Sequence, residues 1–289
     1  QYTTDAGYIV AGYSHSINGD VTNNNGAADT WILKLNANGD IEWQKTYGGS
    51  TIDGLTNIKQ TTDNGYIAVG YTDSDDGDIP NNQGYTDAWA IKIAANGNLE
   101  WSKSFGGSDG EWINDVQQTI NGEYLIVGFT FSNNGDITNN YGIADWWVIK
   151  LQTNGNLSWQ KTYGGSGFDR ANCIQKTNDG HYIIAGNTVS SDGDVIITHG
   201  GSNANSILQT HDNNFLIAGN SQNANSDIRN IFVATLDANC TLLWQRQIPK
   251  EDSNNSAKAI FETSDYGYML FGEQFFENGL STPIIIKLK

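Results

Sequence analysis

Residues 63–108 read DNGYIAVGYTDSDDGDIPNNQGYTDAWAIKIAANGNLEWSKSFGGS, and this stretch decides the fold. Its first segment, GYIAVG, returns in similar form three more times along the chain. The tyrosines of these segments are spaced by 58 residues: Tyr8, Tyr66, Tyr124 and Tyr182. Nearly literal repetition at a fixed period indicates a chain built from copies of one small structural unit.

Each full repeat is predicted to contain four short strands, which we call a, b, c and d. In the first repeat they cover residues 8–13, 31–36, 41–47 and about 55–62. An Asn-Gly pair joins b to c, and such pairs favour tight hairpins because both turn positions need positive φ. A second tight turn joins d to the next a. The long a-to-b loop and the Gly-Gly-Ser loop between c and d must therefore share the opposite side.

Antiparallel four-stranded units in tandem predict an all-β fold, a β-propeller of four-stranded blades. Strands of type a are expected near residues 8, 66, 124, 182, 215 and 268, which predicts one domain over 1–289 with six blades. The fourth unit is abridged and lacks strands b and c. An open β-solenoid or a stacked sandwich is the competing fold.

The composition excludes several classes of protein. The chain has 15 basic and 32 acidic residues and a formal net charge of −17, so a phosphate-backbone partner would be repelled and no nucleic-acid binding is expected. No apolar run reaches the roughly 18 residues of a membrane span. The two cysteines, Cys173 and Cys240, have no metal-binding spacing and are expected as free thiols.

The tryptophans follow the repeat. Three begin b strands and four lie in c strands: Trp31, Trp89, Trp147, Trp43, Trp101, Trp159 and Trp244. Because a large ring at a fixed place in each blade buries about 150 to 250 Å², we expect these side chains to pack between blades.

Two resemblances follow from these segments. The segment 34–43, KLNANGDIEW, and its copies resemble the repeat of PQQ-like, quinoprotein-type propellers, in which a turn glycine precedes a docking tryptophan. The residues of a quinone site are not recognisable, so no PQQ is expected. The longer unit is similar to tandem propeller repeats of secreted and cell-surface proteins of Bacteroidota. That similarity implies an extracellular or cell-surface location.

The a-to-b loops carry a Ser-x-(Asn/Asp)-Gly-Asp motif whose oxygen atoms could hold Ca²⁺, a cation that takes six to eight oxygen ligands. The alternative is that these side chains cap backbone amides of the loops in Asx-type turns. If a metal binds, the predicted ligands are Asn18, Asp20, Asp76, Asp78, Asn134 and Asp136.

Some residues break the repeat on the loop-bearing side. Trp112 stands where other units have Gly54 and Arg170, and Trp146 stands where they have Thr30 and Ala88. Together with Tyr85, Tyr141 and Asp145 they form a candidate ligand-binding surface. Flat rings beside amides and carboxylates suit a sugar. The alternative is that the rings only pack against the rim.

No catalytic pattern stands out. The segment 106–110 matches GxSxG in letters, but it lies between two predicted strands, whereas a nucleophile elbow needs a strand-to-helix turn. We therefore expect a non-catalytic extracellular binding or surface-interaction module, whose partner is a glycan or another surface protein. A lectin or glycan-active enzyme near Trp112 and Trp146 is the alternative, and a structural domain of an adhesin or filament is the third.

Overall fold

The computed structural model describes residues 1–21, 24–194, 202–222, 228–248, 254–276 and 279–288, and these residues form an all-β propeller. The strands are β1 (Tyr8–Ser14), β2 (Asp29–Leu35), β3 (Ile41–Tyr47), β4 (Asp53–Gln60), β5 (Tyr66–Thr72), β6 (Asp87–Ile93), β7 (Leu99–Phe105), β8 (Glu111–Gln118), β9 (Tyr124–Thr130), β10 (Asp145–Leu151), β11 (Leu157–Tyr163), β12 (Asp169–Lys176), β13 (Tyr182–Thr188), β14 (Ser202–Gln209), β15 (Phe215–Gln222), β16 (Arg229–Leu236), β17 (Leu242–Ile248), β18 (Asn254–Glu262), β19 (Tyr268–Phe275) and β20 (Ser281–Leu288).

These strands form consecutive antiparallel sheets. We number them sheet 1 (β1–β3), sheet 2 (β4–β7), sheet 3 (β8–β11), sheet 4 (β12–β13), sheet 5 (β14–β17) and sheet 6 (β18–β20). The prediction of six blades is wrong in its count. In the described residues, five sheets have three or four strands, and sheet 4 is a two-stranded ribbon. Only 33 residues separate Tyr182 from Phe215, which leaves no room for a b–c hairpin. The Gly200-Gly201 pair of this unit lies outside the described residues.

The tight d-to-a turns decide which strands pair. Residue Asn64 adopts a φ of 65° in the turn between β4 and β5, so strand d of one repeat pairs with strand a of the next. Sheets 2, 3 and 5 therefore run d, a, b, c from the inside outwards, while sheet 4 contains only d and a, and sheet 6 contains d, a and b, in the described residues. The b-to-c turns lie where they were predicted, but they are not primed turns: Gly39, Gly97 and Gly155 have positive φ, whereas the asparagine before each of them does not.

The d strands surround a central channel of about 900 Å³. Its walls come from β4, β8, β12, β14 and β18, and on the side of sheet 1 from Ile9–Ala11 and Gln1. The innermost strand of each of these sheets thus faces the axis, and the b and c strands form the outer rim.

The hydrophobic core is divided among the sheet interfaces. Between sheets 2 and 3, for example, Val69 and Ile126 pack around the fully buried Trp147. Further clusters lie between sheets 1 and 2, 3 and 4, 4 and 5, and 5 and 6. Burial between neighbouring repeats is what the period-2 alternation of the strands predicts.

The expectation that the repeating tryptophans are core is only partly right. Trp89 and Trp147 are fully buried, and the indole of Trp43 lies on the next sheet, where its Nε1 donates to the Ala95 oxygen at 3.0 Å. By contrast, Trp159 is 39% exposed. Its docking place would be the b–c hairpin of the next sheet, which sheet 4 lacks. Trp244 is also exposed.

A belt of hydrogen bonds links the inner strands around the channel. The inner strands β4, β8, β12 and β14 each carry a β-bulge opposite the a strand, and the extra residue of the bulge hydrogen-bonds to the next sheet. Asn114, Asn172 and Asn205 each donate from Nδ2 to a backbone oxygen of the following inner strand, at 2.7 to 2.8 Å. The hydroxyl of Thr56 does the same to the Ile113 oxygen at 2.6 Å.

Candidate functional site on the loop face

The a-to-b loops and the Gly-Gly-Ser loops lie on one end of the propeller, as predicted, and we call this end the loop face. There the Ser-x-(Asn/Asp)-Gly-Asp motif of one repeat holds the Gly-Gly-Ser loop of the repeat before it. Asp76 Oδ1 accepts from the Ser50 amide at 2.7 Å, and Asp78 Oδ2 accepts from the Gly48 amide at 3.1 Å. The Ser74 hydroxyl accepts from the Thr51 amide at 3.0 Å. We call this arrangement the clasp.

The clasp recurs between the following repeats. Asn134 Oδ1 accepts from the Ser108 amide at 2.8 Å, and Asp136 Oδ2 accepts from the Gly106 amide at 3.1 Å. Asp192 Oδ1 likewise accepts from the Ser166 amide at 2.8 Å. The motif glycine sits against the opposing backbone: a Cβ at Gly77 would lie 2.4 Å from the Gly48 oxygen. The repeated motif thus joins neighbouring repeats.

The residues predicted as calcium ligands are the clasp residues. Four of them, Asp76, Asp78, Asn134 and Asp136, accept hydrogen bonds from backbone amides. This is the capping role that the sequence left open as the alternative. In the described part of the chain, no three His, Cys, Asp or Glu side chains are arranged to hold a metal ion. Calcium binding remains a prediction.

The first copy of the motif has no loop to hold in the described residues. Ser16, Asn18 and Asp20 are exposed, and a Cβ at Gly19 would meet no atom within 4 Å. The neighbouring Asn23, part of the same loop, lies outside the described residues. The sequence alone treats this loop as equivalent to the others, and the structure shows that it is not.

Pairs of buried acids lie beneath the clasps. One acid begins a b strand, and the other begins the next inner strand. The pairs are Asp29 with Asp53, Asp87 with Glu111, and Asp145 with Asp169, and all six residues are at most 1% exposed. The second acid of each pair is well bonded: Asp53 Oδ2 accepts from the Gly49 amide and from the Ser74 hydroxyl at 2.7 and 2.9 Å.

The first acid of each pair is less well satisfied. Asp29, Asp87 and Asp145 each have a buried Oδ1 without a hydrogen-bond partner, while Oδ2 accepts one backbone amide. Burial raises the pKa of Asp87 to about 7, and the charge of Glu111 adds to this. The pKa values of Asp29 and Asp145 are raised for the same main reason. A protonated carboxyl is the form that burial favours at these positions.

The residues that break the repeat form an aromatic patch near the inner strands at the loop face. The patch consists of Trp112, Phe129, Phe131 and Phe168. Trp112 stacks on Phe129 with ring centroids 5.4 Å apart and an interplanar angle of 13°. Phe129 is buried, whereas the other three rings are half-buried. The guanidinium of Arg170 lies over Phe129, 5.3 Å from its centroid.

The other predicted ligand-binding residues have different positions. Trp146 and Trp112 lie on the two strands that flank Phe129, so they are close together, as expected. The ring of Trp146, however, packs against sheet 4, and its Nε1 donates to the Asn187 oxygen at 3.0 Å. Tyr85 is 83% exposed, and Tyr141 lies at the clasp between sheets 3 and 4. Asp145 is fully buried, so its side chain does not reach a surface ligand.

Sequence reasoning missed Phe129, Phe131, Phe168 and Arg170. The same comparison between repeats could have found Phe131, Phe168 and Arg170. The position of Phe131, for instance, is taken by His15 and Asp73 in earlier repeats. Phe129 was hidden because Tyr13 and Tyr71 at its place also carry rings, so aromatic character there is not unusual in this chain.

No family model matches the sequence, and no curated protein matches it. Among solved structures, the chain is similar to a protein of unknown function from Dyadobacter fermentans, with a TM-score of 0.52, 11% identity and coverage of 100% of this chain and 74% of that chain. It also matches a thermostable family-43 glycoside hydrolase (TM-score 0.42, 10% identity, 100% and 93% coverage) and an endo-1,4-β-xylanase from Bacteroides thetaiotaomicron (TM-score 0.39, 10% identity, 99% and 93% coverage). At these identities the likeness concerns the fold alone.

Within the described residues, no helix has the length and apolar character needed to cross a membrane.

Proposed function

We propose that this propeller is a non-catalytic carbohydrate-binding module, and that the aromatic patch on its loop face holds the sugar. The observation that carries the proposal is the half-buried stack of Trp112 on Phe129, with Arg170 beside it. Aromatic faces supply apolar contact for a pyranose ring, and a guanidinium supplies hydrogen-bond donors for hydroxyl or carboxylate groups.

The placement of the patch also supports binding. A ring with only a structural role would be expected at the same place in all three full repeats, as the b-strand tryptophans Trp31, Trp89 and Trp147 are. Trp112 instead replaces a glycine of the repeat, Gly54, and stays half-exposed. We extend the proposal to an extracellular or cell-surface location, in line with the repeats that the sequence resembles.

The state of the acidic residues argues for binding without cleavage. Glycoside hydrolysis uses two carboxyl groups that flank the scissile bond. The paired acids of the loop face, such as Asp87 and Glu111, are fully buried beneath the clasps, so a polysaccharide cannot reach them.

The proposal is tested with a glycan array followed by calorimetric titration of the best ligand. Trp112→Ala is expected to weaken binding about tenfold or more, which corresponds to about 1.4 kcal/mol. Tyr85→Ala is the matched control, because Tyr85 is an aromatic residue on the same face but outside the patch. The affinity of this variant for the glycan should not change. Thermal melts establish that Trp112→Ala is folded, and Phe168→Ala is the second variant if it is not.

Three results would contradict the proposal. Equal loss of affinity in Trp112→Ala and Tyr85→Ala would place the sugar elsewhere, and the absence of any glycan ligand would remove the proposed ligand class. Release of new reducing ends from a bound polysaccharide would show that the module is catalytic.

A further inference from the structure

The aromatic patch borders polar side chains on the side of sheet 4. In sheet 3, Trp112 of β8 pairs with Phe129 of β9 across the sheet. The corresponding pair in sheet 4 is Arg170 of β12 with Asn187 of β13. In sheet 5 the same cross-strand position holds two asparagines. The character of this position therefore changes from aromatic to polar between sheets 3 and 4, and Arg170 stands at the border.

The side chain of Arg170 turns back towards sheet 3. Its guanidinium lies 5.3 Å from the ring centroid of Phe129, and its Nη2 donates to Asn114 Oδ1 at 3.2 Å. The ring of Trp112 contacts the same phenylalanine, with the two centroids 5.4 Å apart. Because the indole and the guanidinium share this neighbour, a single bound saccharide can contact both.

Arg170 carries a charge without a counter-ion in the described part of the chain. Partly buried lysines elsewhere are paired: Lys59 Nζ lies 2.7 Å from Asp115 Oδ1, and Lys150 Nζ lies 2.7 Å from Glu123 Oε2. Burial lowers the pKa of Arg170, and no acidic neighbour opposes this shift. A guanidinium pairs best with a planar anion that accepts two parallel hydrogen bonds, and a carboxylate has this shape.

We infer that the saccharide held by the aromatic patch contains a uronic acid, and that its carboxylate pairs with Arg170. The inference rests on the proposed function, because it places the sugar ring against Trp112. The carboxylate accepts from the donors of the guanidinium that have no partner in the described chain. Asn187, the cross-strand neighbour of Arg170, adds an amide for the hydroxyl groups of the sugar.

The charge of the chain limits how acidic the ligand can be. The formal net charge is −17, so a polyanion is repelled by the protein as a whole. Among the described residues of the patch and its contacts, Arg170 is the single cation. The site therefore suits one uronic acid residue in an otherwise neutral saccharide.

The experiment uses pairs of methyl glycosides that differ only at C6, where one member has a carboxylate and the other a hydroxymethyl group. The pairs are glucuronide with glucoside, galacturonide with galactoside, and mannuronide with mannoside. The full chain is titrated with each compound by calorimetry. We expect at least one uronide to bind about tenfold more tightly than its neutral counterpart, because only the uronide forms charge-assisted hydrogen bonds.

Variants of the arginine separate its charge from its shape. Arg170→Gln should weaken binding of the uronide about tenfold and leave the affinity for the neutral glycoside unchanged. Arg170→Lys should keep part of the preference, because it retains the charge but not the planar fork. Arg246→Gln is the matched control, since Arg246 is an exposed arginine on the outer strand β17, and it should change neither affinity. Thermal melts establish that each variant is folded.

The outcomes distinguish this inference from the proposed function. Trp112→Ala should weaken binding of both members of a pair. Binding confined to neutral glycans, on the array and in solution, would overturn the inference and leave the proposed function intact. Equal loss of both members in Arg170→Gln would also overturn the inference, because the arginine would then only support the Phe129 ring. The absence of any glycan ligand would remove both proposals.

Discussion

At the scale of single residues, Asp87 combines full burial, an unpartnered oxygen and an acidic neighbour, Glu111. Its pKa is about 7 in the folded chain against 3.8 in the unfolded chain. The folded state therefore holds this proton more tightly. The bound proton on Asp87 therefore stabilises the folded state fully below pH 4, and this contribution is lost as the pH rises to about 7.

We predict that Asp87→Asn reduces the fall in stability between pH 5 and pH 8. Two to three pKa units correspond to about 3 to 4 kcal/mol, which is an upper limit for this one group. The measurement is the melting temperature at both pH values, with Asp75→Asn at an exposed acid as control. An unchanged difference between pH 5 and pH 8 in Asp87→Asn would contradict the raised pKa.

Residues also show where sequence reasoning reaches its limit. The repeat placed a tryptophan in each c strand, and Trp43 and Trp101 dock on the next sheet as expected. Trp159 has the same local sequence but is exposed, because its docking place depends on a hairpin that the next repeat does not contain. The local sequence predicts the strand position of each tryptophan, but the neighbouring sheet determines whether its ring is buried.

At the scale of elements, the belt of bulge residues ties each inner strand to the next. We predict that Asn172→Ala lowers the free energy of unfolding by about 1 kcal/mol, because the Ala204 oxygen loses its donor. Urea denaturation measures the change. Asn133→Ala, in an exposed loop, is the control and should stay within about 0.5 kcal/mol of the original chain. If both substitutions change the free energy of unfolding by the same amount, the belt does not contribute to stability.

Strands and hairpins were predictable because they rest on local signals. The alternation of apolar residues and the Asn-Gly turns indicated the strands, and the strands of type a begin at Tyr8, Tyr66, Tyr124, Tyr182, Phe215 and Tyr268. The bulges and the clasps were not predicted as such. They depend on which repeat lies beside which, and the same Ser-x-(Asn/Asp)-Gly-Asp letters describe a calcium loop and an amide cap equally well.

At the scale of the whole molecule, the number of blades was the least predictable feature. The sequence contains six a-type strands, but a blade also needs b and c strands, and sheet 4 has neither in the described residues. Trp112 can be named from the sequence because it breaks the repeat, whereas the rings around it are recognised only once the sheets lie side by side. Its role in ligand binding remains a prediction.

The interfaces differ in size around the molecule. Among the residues that the structure describes, thirteen buried residues form the cluster between sheets 2 and 3, and three form the cluster between sheets 4 and 5. We predict two heat-absorption peaks in differential scanning calorimetry. Ile126→Ala should lower the temperature of one peak, and Leu270→Ala should lower the temperature of the other. Each substitution truncates a buried side chain, which reduces the free energy of unfolding by about 2 to 5 kcal/mol. A single peak that shifts as a whole in both variants would contradict this.

We therefore expect the two-stranded ribbon, sheet 4, to act as a joint between two cooperative blocks, sheets 1 to 3 and sheets 5 and 6. In repeat proteins, order spreads from neighbour to neighbour, and the weakest interface sets how far it spreads. Because the ribbon lacks strands b and c, it couples the folding of its two neighbouring sheets more weakly than a four-stranded blade does. Unfolding of sheets 5 and 6 can then leave sheets 1 to 3, with the aromatic patch on sheet 3, in their native arrangement.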